Sequence, residues 1–156
     1  MCQIRIQPLA TDDRSPKQRA PAIEGWFTTD GAEPHLLGTR CSECGTYFFP
    51  PVKSFCRNPQ CTATDLEEVE LSRRGRVWSS TVNRYAPPPP AISPDPFVPY
   101  GVAAVELAEE RMVVLGRFDG DEPIPLGTEV ELVVDTLFED EDGEHLVWKW
   151  KPVEAR

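Results

Sequence analysis

The sequence predicts a mainly β protein in which a short N-terminal helix and a small cysteine-rich block precede a five-stranded barrel. Three observations carry that reading. The 156 residues include 17 prolines, placed so that no long uninterrupted helix can be drawn through the middle of the chain, which excludes a helical bundle. Four of the five cysteines fall in two close pairs between residues 41 and 61. After Asp65 the apolar side chains recur at every second position, the period of a half-buried strand.

Residues 1–20 are polar and irregular, with nothing to bury, and read as a flexible tail. In residues 21–38 the spacing of Ile23, Trp26 and Phe27 puts three apolar side chains on one face of a short docking helix that Gly31 and Pro34 would end. Residues 39–65 are too few to hold a core and need a staple such as a metal. The barrel occupies 66–156, with strands expected at 67–71 running on through Gly75 to Tyr85, then at 102–107, 112–118, 128–138 and 145–151. Val130, Leu132 and Val134 alternate with charged residues, and Leu146, Trp148 and Trp150 do the same in the last strand. Residues 108–111 read as a tight hairpin and 139–144 as an acidic hairpin tip closed by Asp-Gly. Between the first two barrel strands lies a stiff, extended loop with seven prolines in residues 87–99.

The cysteine pairs are Cys41-x2-Cys44 and Cys56-x4-Cys61, with Gly45 after the first and Asn58-Pro59 inside the second. Each pair on its turn can aim two thiolates at one ion, and four thiolates in a tetrahedron suit Zn2+. Four cysteines close the coordination shell, so the site is read as structural. Iron in an electron carrier is the chemical alternative, although a redox knuckle would not usually choose C-x4-C. Cys2 lies outside the pattern.

Charge and hydropathy restrict the partners. The net charge is -10, and residues 101–156 account for all of it with 15 acidic and 5 basic side chains. Such a surface repels nucleic acid and anionic membranes, whose binding begins with cationic neutralisation of phosphate. No run of 18 apolar residues and no signal-peptide core is present, which points to a cytoplasmic protein in which disulfides are an unexpected use of cysteine.

These residues together resemble a known family. The segment from Ile23 through Trp26 and Phe27, the run Arg40-Cys41-Ser-Glu-Cys44-Gly45, Phe49-Pro50-Pro51, Cys56 and Cys61, the stretch 75–81 and finally 99–107 are similar to the DUF35 proteins, OB-fold acyl-CoA-associated proteins. The resemblance implies an N-terminal helix, a rubredoxin-like zinc ribbon and a five-stranded OB-fold barrel. It also implies a non-catalytic accessory subunit that docks on a thiolase-like or sterol-carrier-protein-like enzyme in a hetero-oligomer, with acyl-CoA at the interface, the expected enzyme being a lipid-transfer-type aldolase of steroid side-chain degradation. The segment 119–127 is too short for the helix that OB folds often place there.

The side-chain inventory agrees with a chain that does no chemistry alone. His35 and His145 lie beside no nucleophile, and no nucleophile elbow, P-loop or dinucleotide fingerprint is present. Ile23, Trp26, Phe27, Phe97 and Tyr100, on the expected helix and the proline loop, are the expected partner interface. Arg73, Arg74 and Arg76 are the expected contacts to CoA phosphates or an acidic surface. Two other functions fit the same fold: a ribbon and barrel that bind single-stranded nucleic acid, which the charge disfavours, and a stand-alone acyl-CoA-binding protein.

Overall fold

The structure is a computed structural model and describes residues 18–91, 93 and 95–154. The expected tail falls almost wholly outside the described residues, as does Cys2. Nine strands follow in order: β1 (Arg19–Pro21), β2 (Leu37–Cys41), β3 (Tyr47–Phe48), β4 (Leu66–Glu70), β5 (Arg74–Asn83), β6 (Tyr100–Leu107), β7 (Met112–Phe118), β8 (Glu129–Glu139) and β9 (Glu144–Pro152).

Strands β5 to β9 close on themselves. β5 pairs with β6, β6 with β7, and β8 with both β9 and β5, all antiparallel; β7 meets β9 in parallel through Arg117 and Lys149. That connectivity is the five-stranded Greek-key closure of an OB fold. The segment 119–127 forms no helix; Ile124 turns inward instead, and the Ser80 hydroxyl donates to its carbonyl at 2.7 Å. Alternation decides the interior: Val77, Val105 and Val114 lie side by side across β5, β6 and β7, and Leu132 meets Trp150 across β8 and β9. Fully burying side chains of this size stabilises by about 1.5–3 kcal/mol each. Two glycines make room for aromatic rings, since a Cβ at Gly101 would overlap the Phe118 ring and one at Gly116 would lie 2.6 Å from the Trp150 indole.

The ribbon is a separate three-stranded sheet in the order β3-β2-β4. β4, which the alternation runs into the first barrel strand, belongs here: residues 66–70 pair antiparallel with β2, and the chain enters the barrel only after Leu71. The Thr39 hydroxyl, buried in β2, accepts a hydrogen bond from the Val52 amide at 3.1 Å and anchors the returning loop.

The expected N-terminal helix does not form; no helix occurs among the described residues. Residues 19–21 pair in parallel with 144–146 as β1, and Arg19 Nε sits 3.0 Å from Glu144 Oε2. Residues 26–37 then fold into a bridged loop in which Phe27 pairs with Leu36, Thr28 N–H donates to His35 C=O at 2.9 Å and Leu37 N–H donates to Trp26 C=O at 2.8 Å. The helical spacing of Ile23, Trp26 and Phe27 spans barely more than one turn, too little to nucleate a helix without more residues behind it. Gly25 and Gly31, at φ 75° and 98°, take the left-handed turns that the loop requires.

The bridged loop of residues 26–37, the ribbon and the barrel meet at Trp148. Its ring lies 6.0 Å from Trp26, 5.7 Å from Phe27 and 5.8 Å from Phe49, while its indole N–H donates to Leu115 C=O at 3.0 Å. Aromatic pairs at these separations contribute about 0.5–1.5 kcal/mol each beyond their buried area. Phe27, expected at a partner interface, is therefore a core residue with 4% of its surface exposed.

Candidate metal centre

Two turns build the cysteine site. β2 ends at Cys41, whose N–H donates to Thr46 C=O at 3.0 Å while Gly45 N–H donates back to Cys41 C=O at 2.9 Å; Gly45 takes φ 72° to close the knuckle. The second knuckle is held by Asn58. Its side-chain oxygen accepts from Gln60 N–H at 3.1 Å and its carbonyl from Cys61 N–H at 2.9 Å, so the two additional residues of C-x4-C are absorbed in an Asx turn. Cys56 N–H donates to Ala63 C=O at 2.8 Å.

These turns gather the four sulfurs. All four lie within 4.8 Å of one another, with Cys44 Sγ 3.6 Å from Cys56 Sγ and Cys41 Sγ 3.8 Å from Cys61 Sγ. A tetrahedron with Zn–S bonds of about 2.3 Å has edges of about 3.8 Å, so the spacing fits zinc, whereas a disulfide needs about 2.05 Å. Cys41 and Cys56 are buried, with Ala63, Phe48, Leu66 and Cys61 around them, and Cys44 is exposed.

The thiols differ sharply in acidity. Hydrogen bonds from the Thr46 hydroxyl and amide lower Cys44 to about 6, and burial pushes Cys56 up to about 12. Cys61 is also raised: the Ala63 amide pulls it down, but burial and the neighbouring Cys44 and Cys41 outweigh that. Four thiols this close cannot all ionise against one another, and a dication at their centre removes the conflict because thiolate is the ligand form. Four protein ligands leave no open position, so the chemistry of the set is structural. Among the described residues this is the one group of three or more such side chains arranged to hold an ion.

The remaining expected site residues divide. Ile23 is exposed, Trp26 is half-buried against Phe49, and Phe27 is core. Phe97 and Tyr100 form a separate edge-to-face pair at 6.2 Å, with the Arg117 guanidinium 3.8 Å above the Tyr100 ring. Arg73 is engaged by Glu33 at 3.0 Å and by Pro34 C=O at 3.1 Å, and Arg74 lies 3.7 Å from both Glu129 and Glu131. Arg76 forms no ion pair among the described residues and lines a cavity of about 230 Å³ with Arg74, Glu106 and Glu129.

Both histidines have local partners. His35 Nδ1 is 3.3 Å from Leu71 C=O, and His145 stacks on Phe138 at 4.3 Å with Nε2 2.8 Å from Asp140. Asp140 Oδ1 accepts from Asp142 and Gly143 amides and closes the acidic hairpin tip. The sequence reading missed Glu110. Buried in the β6–β7 hairpin, it accepts from the Ser72 amide at 2.6 Å and ties that hairpin to the ribbon–barrel junction. Nothing but its neighbour Glu109 distinguished it in the sequence.

Comparison with known proteins agrees with this geometry. Residues 28–67 match the family described as ChsH2, rubredoxin-like zinc ribbon domain, and residues 68–135 match ChsH2, C-terminal OB-fold domain. A DUF35 domain-containing scaffold protein of Methanocaldococcus jannaschii is 34% identical over 124 residues, covering 76% of this chain and 82% of that one. The benzoylsuccinyl-CoA thiolase subunit BbsA of Thauera aromatica is 31% identical over 118 residues, covering 76% of each chain. Among solved structures, the Ltp2-ChsH2(DUF35) aldolase matches with a TM-score of 0.51 and 33% identity over 74% of this chain and 84% of that chain.

Proposed function

The chain belongs to the DUF35 family of paired zinc ribbons and OB folds, and from that premise we propose that it is a non-catalytic accessory subunit of a thiolase-superfamily enzyme acting on acyl-CoA thioesters. The observation that carries the reading is how its chemistry-bearing positions are used. The four thiolates make a closed structural site, and the barrel interior is filled by Trp150, Leu132 and their neighbours, leaving a scaffold that acts through its surface. Two relatives give the partner class: one is named as a thiolase subunit and another structure pairs a DUF35 chain with Ltp2 in an aldolase.

The finer reading is a lipid-transfer-type aldolase that cleaves steroid side-chain CoA thioesters. It is supported by the likeness to the Ltp2-ChsH2 assembly. Direct contact with CoA phosphates would fall to Arg76, since Arg73 and Arg74 already have carboxylate partners. Co-expression with thiolase-type and lipid-transfer-type enzymes of the same genome tests the proposal. A co-eluting complex with higher aldol or thiolytic turnover than the enzyme alone is expected; separate elution with unchanged turnover would sink it. A panel of steroid and short-chain acyl-CoA substrates on that complex then decides the finer reading.

No helix among the described residues is long and apolar enough to cross a membrane.

A further inference from the structure

Resting on the accessory-subunit reading, we infer that the enzyme partner docks on the outer face of β5, β6 and β7, against an apolar strip centred on Trp78 and Leu115. Cross-strand register puts Ser79, Ala104 and Leu115 side by side on that face, with Glu106 and Val113 in the next row and Val102 and Arg117 in the row beyond. Trp78 is extruded at the bulge between Val77 and Ser79 and is 66% exposed; Leu115 is 63% and Val113 46% exposed. A free-standing barrel would place polar side chains at these positions, as β8 does with Glu129 and Glu131, because one face of an antiparallel sheet is ordinarily solvated.

The charges around the strip commit it to a kind of partner. Residues 101–156 carry 15 acidic side chains, yet in the paired rows of β5, β6 and β7 the only carboxylate is Glu106, which lies between Arg76 and Val113; Glu129 of β8 meets Arg76 from its other side, and Arg117 stands two rows away opposite Val102. The acids lie instead in the hairpins, in the segment after β7 and on β8 and its neighbours. An apolar strip with guanidiniums at its two ends fits a protein surface of aliphatic and aromatic side chains rimmed by carboxylates. The strip also continues into the proline loop, because Phe97 meets Tyr100 edge-to-face at its end and Arg117 covers the Tyr100 ring. Strands two and three of an OB barrel are where this fold most often receives a ligand, and here the paired rows of that face carry guanidiniums only at Arg76 and Arg117, where a nucleic-acid binder would line a whole groove with cations beside its aromatic rings.

The test uses the full-length, zinc-loaded chain and the thiolase-superfamily enzyme with which it co-elutes. The Trp78→Ser, Leu115→Ser double variant is expected to keep the far-UV spectrum and zinc content of the parent and to bind the enzyme on the order of a hundredfold more weakly, as loss of two central anchors does. Arg117→Glu is expected to weaken binding by roughly tenfold, with most of the effect removed by salt. Hydroxyl-radical footprinting of the unmodified complex gives a readout free of any substitution, in which Trp78 oxidation falls on binding. A complex that forms but is unaffected by the double variant, with Trp78 still oxidised, overturns the face alone and leaves the accessory-subunit reading standing. Absence of any complex with the unmodified chain overturns both. Self-association of the chain that the double variant abolishes, or salt-sensitive oligonucleotide binding that quenches Trp78, would assign the face to a second copy or to nucleic acid and overturn the proposal.

Discussion

The ribbon buries a small cluster of Cys41, Cys56 and Ala63 and, apart from it, Val52, whereas the barrel buries Trp150, Leu132, Val130, Val105 and Leu107 around a continuous core. The two regions also differ in the reach of their strands, since β3 has 2 residues and β2 and β4 have 5, against 11 in β8. A sheet of this size with so few and such small buried side chains cannot offset the entropy of ordering it, so the ribbon depends on its ion and the barrel does not. The difference teaches where the molecule can be taken apart. Trp148 is the place where the self-sufficient half supports the dependent one.

The largest effect should come from the metal. Binding free energies of structural zinc are about 10–16 kcal/mol in small zinc modules, so chelation or Cys41→Ser should unfold residues 37–70 as a unit. Hydrogen exchange would then show lost protection in β2 and β4 with protection retained in β6 and β8; simultaneous loss in both would show that the barrel is equally dependent. Trp148→Ala is next, at about 3–5 kcal/mol for an aromatic truncated in a core. Because Trp26, Phe27 and Phe49 all lose a partner, thermal unfolding of this variant should split into two transitions, ribbon first. A single shifted transition would mean that the hub does not join the two regions.

A smaller effect confined to the barrel is expected from Gly116→Ala. The new methyl would meet the Trp150 indole, costing about 1–3 kcal/mol of overpacking and leaving zinc affinity unchanged. The smallest expected effect is Lys149→Met, at about 1 kcal/mol or less, read from chemical denaturation. Lys149 Nζ lies 2.8 Å from Asp119 and 2.7 Å from Asp135. Burial alone would lower its pKa, but hydrogen bonds to the two aspartates raise it above the ordinary 10.5, and the Lys149 bond lowers Asp135 below 3.8. The triad therefore contributes fully between those values. Its contribution is lost as pH rises through the raised lysine value or falls through the lowered aspartate value, and the gap between parent and Lys149→Met should close at both extremes.

Much of the barrel was legible because alternation is local: the residues that face inward in β8 and β9 can be counted off the sequence. The metal ligands were legible because a pair of cysteines on a tight turn is itself a local unit. The segment around Trp26 misled because three apolar residues at helical spacing satisfy a one-turn pattern, while the bridge from Phe27 to Leu36 is made with residues nine positions away. The placement of 66–70 in the ribbon depends on pairing with β2 more than twenty residues earlier, which periodicity does not record. The exposed strip escaped notice for the opposite reason. Val113 and Leu115 read as ordinary strand residues, and only the register across three strands shows that they face away from the core.

The barrel seam between β7 and β9 consists of one residue pair, Arg117 with Lys149, while β1 runs along the earlier part of β9. Closure there has little backbone bonding to resist transient separation, and β9 is held to β7 largely by side chains, among them the Trp148 indole bonded to Leu115 C=O. A partner seated on β7 would hold one lip of that seam still, and the slowing of amide exchange along β9 on binding would be a clock for occupancy of a surface that β9 itself does not form.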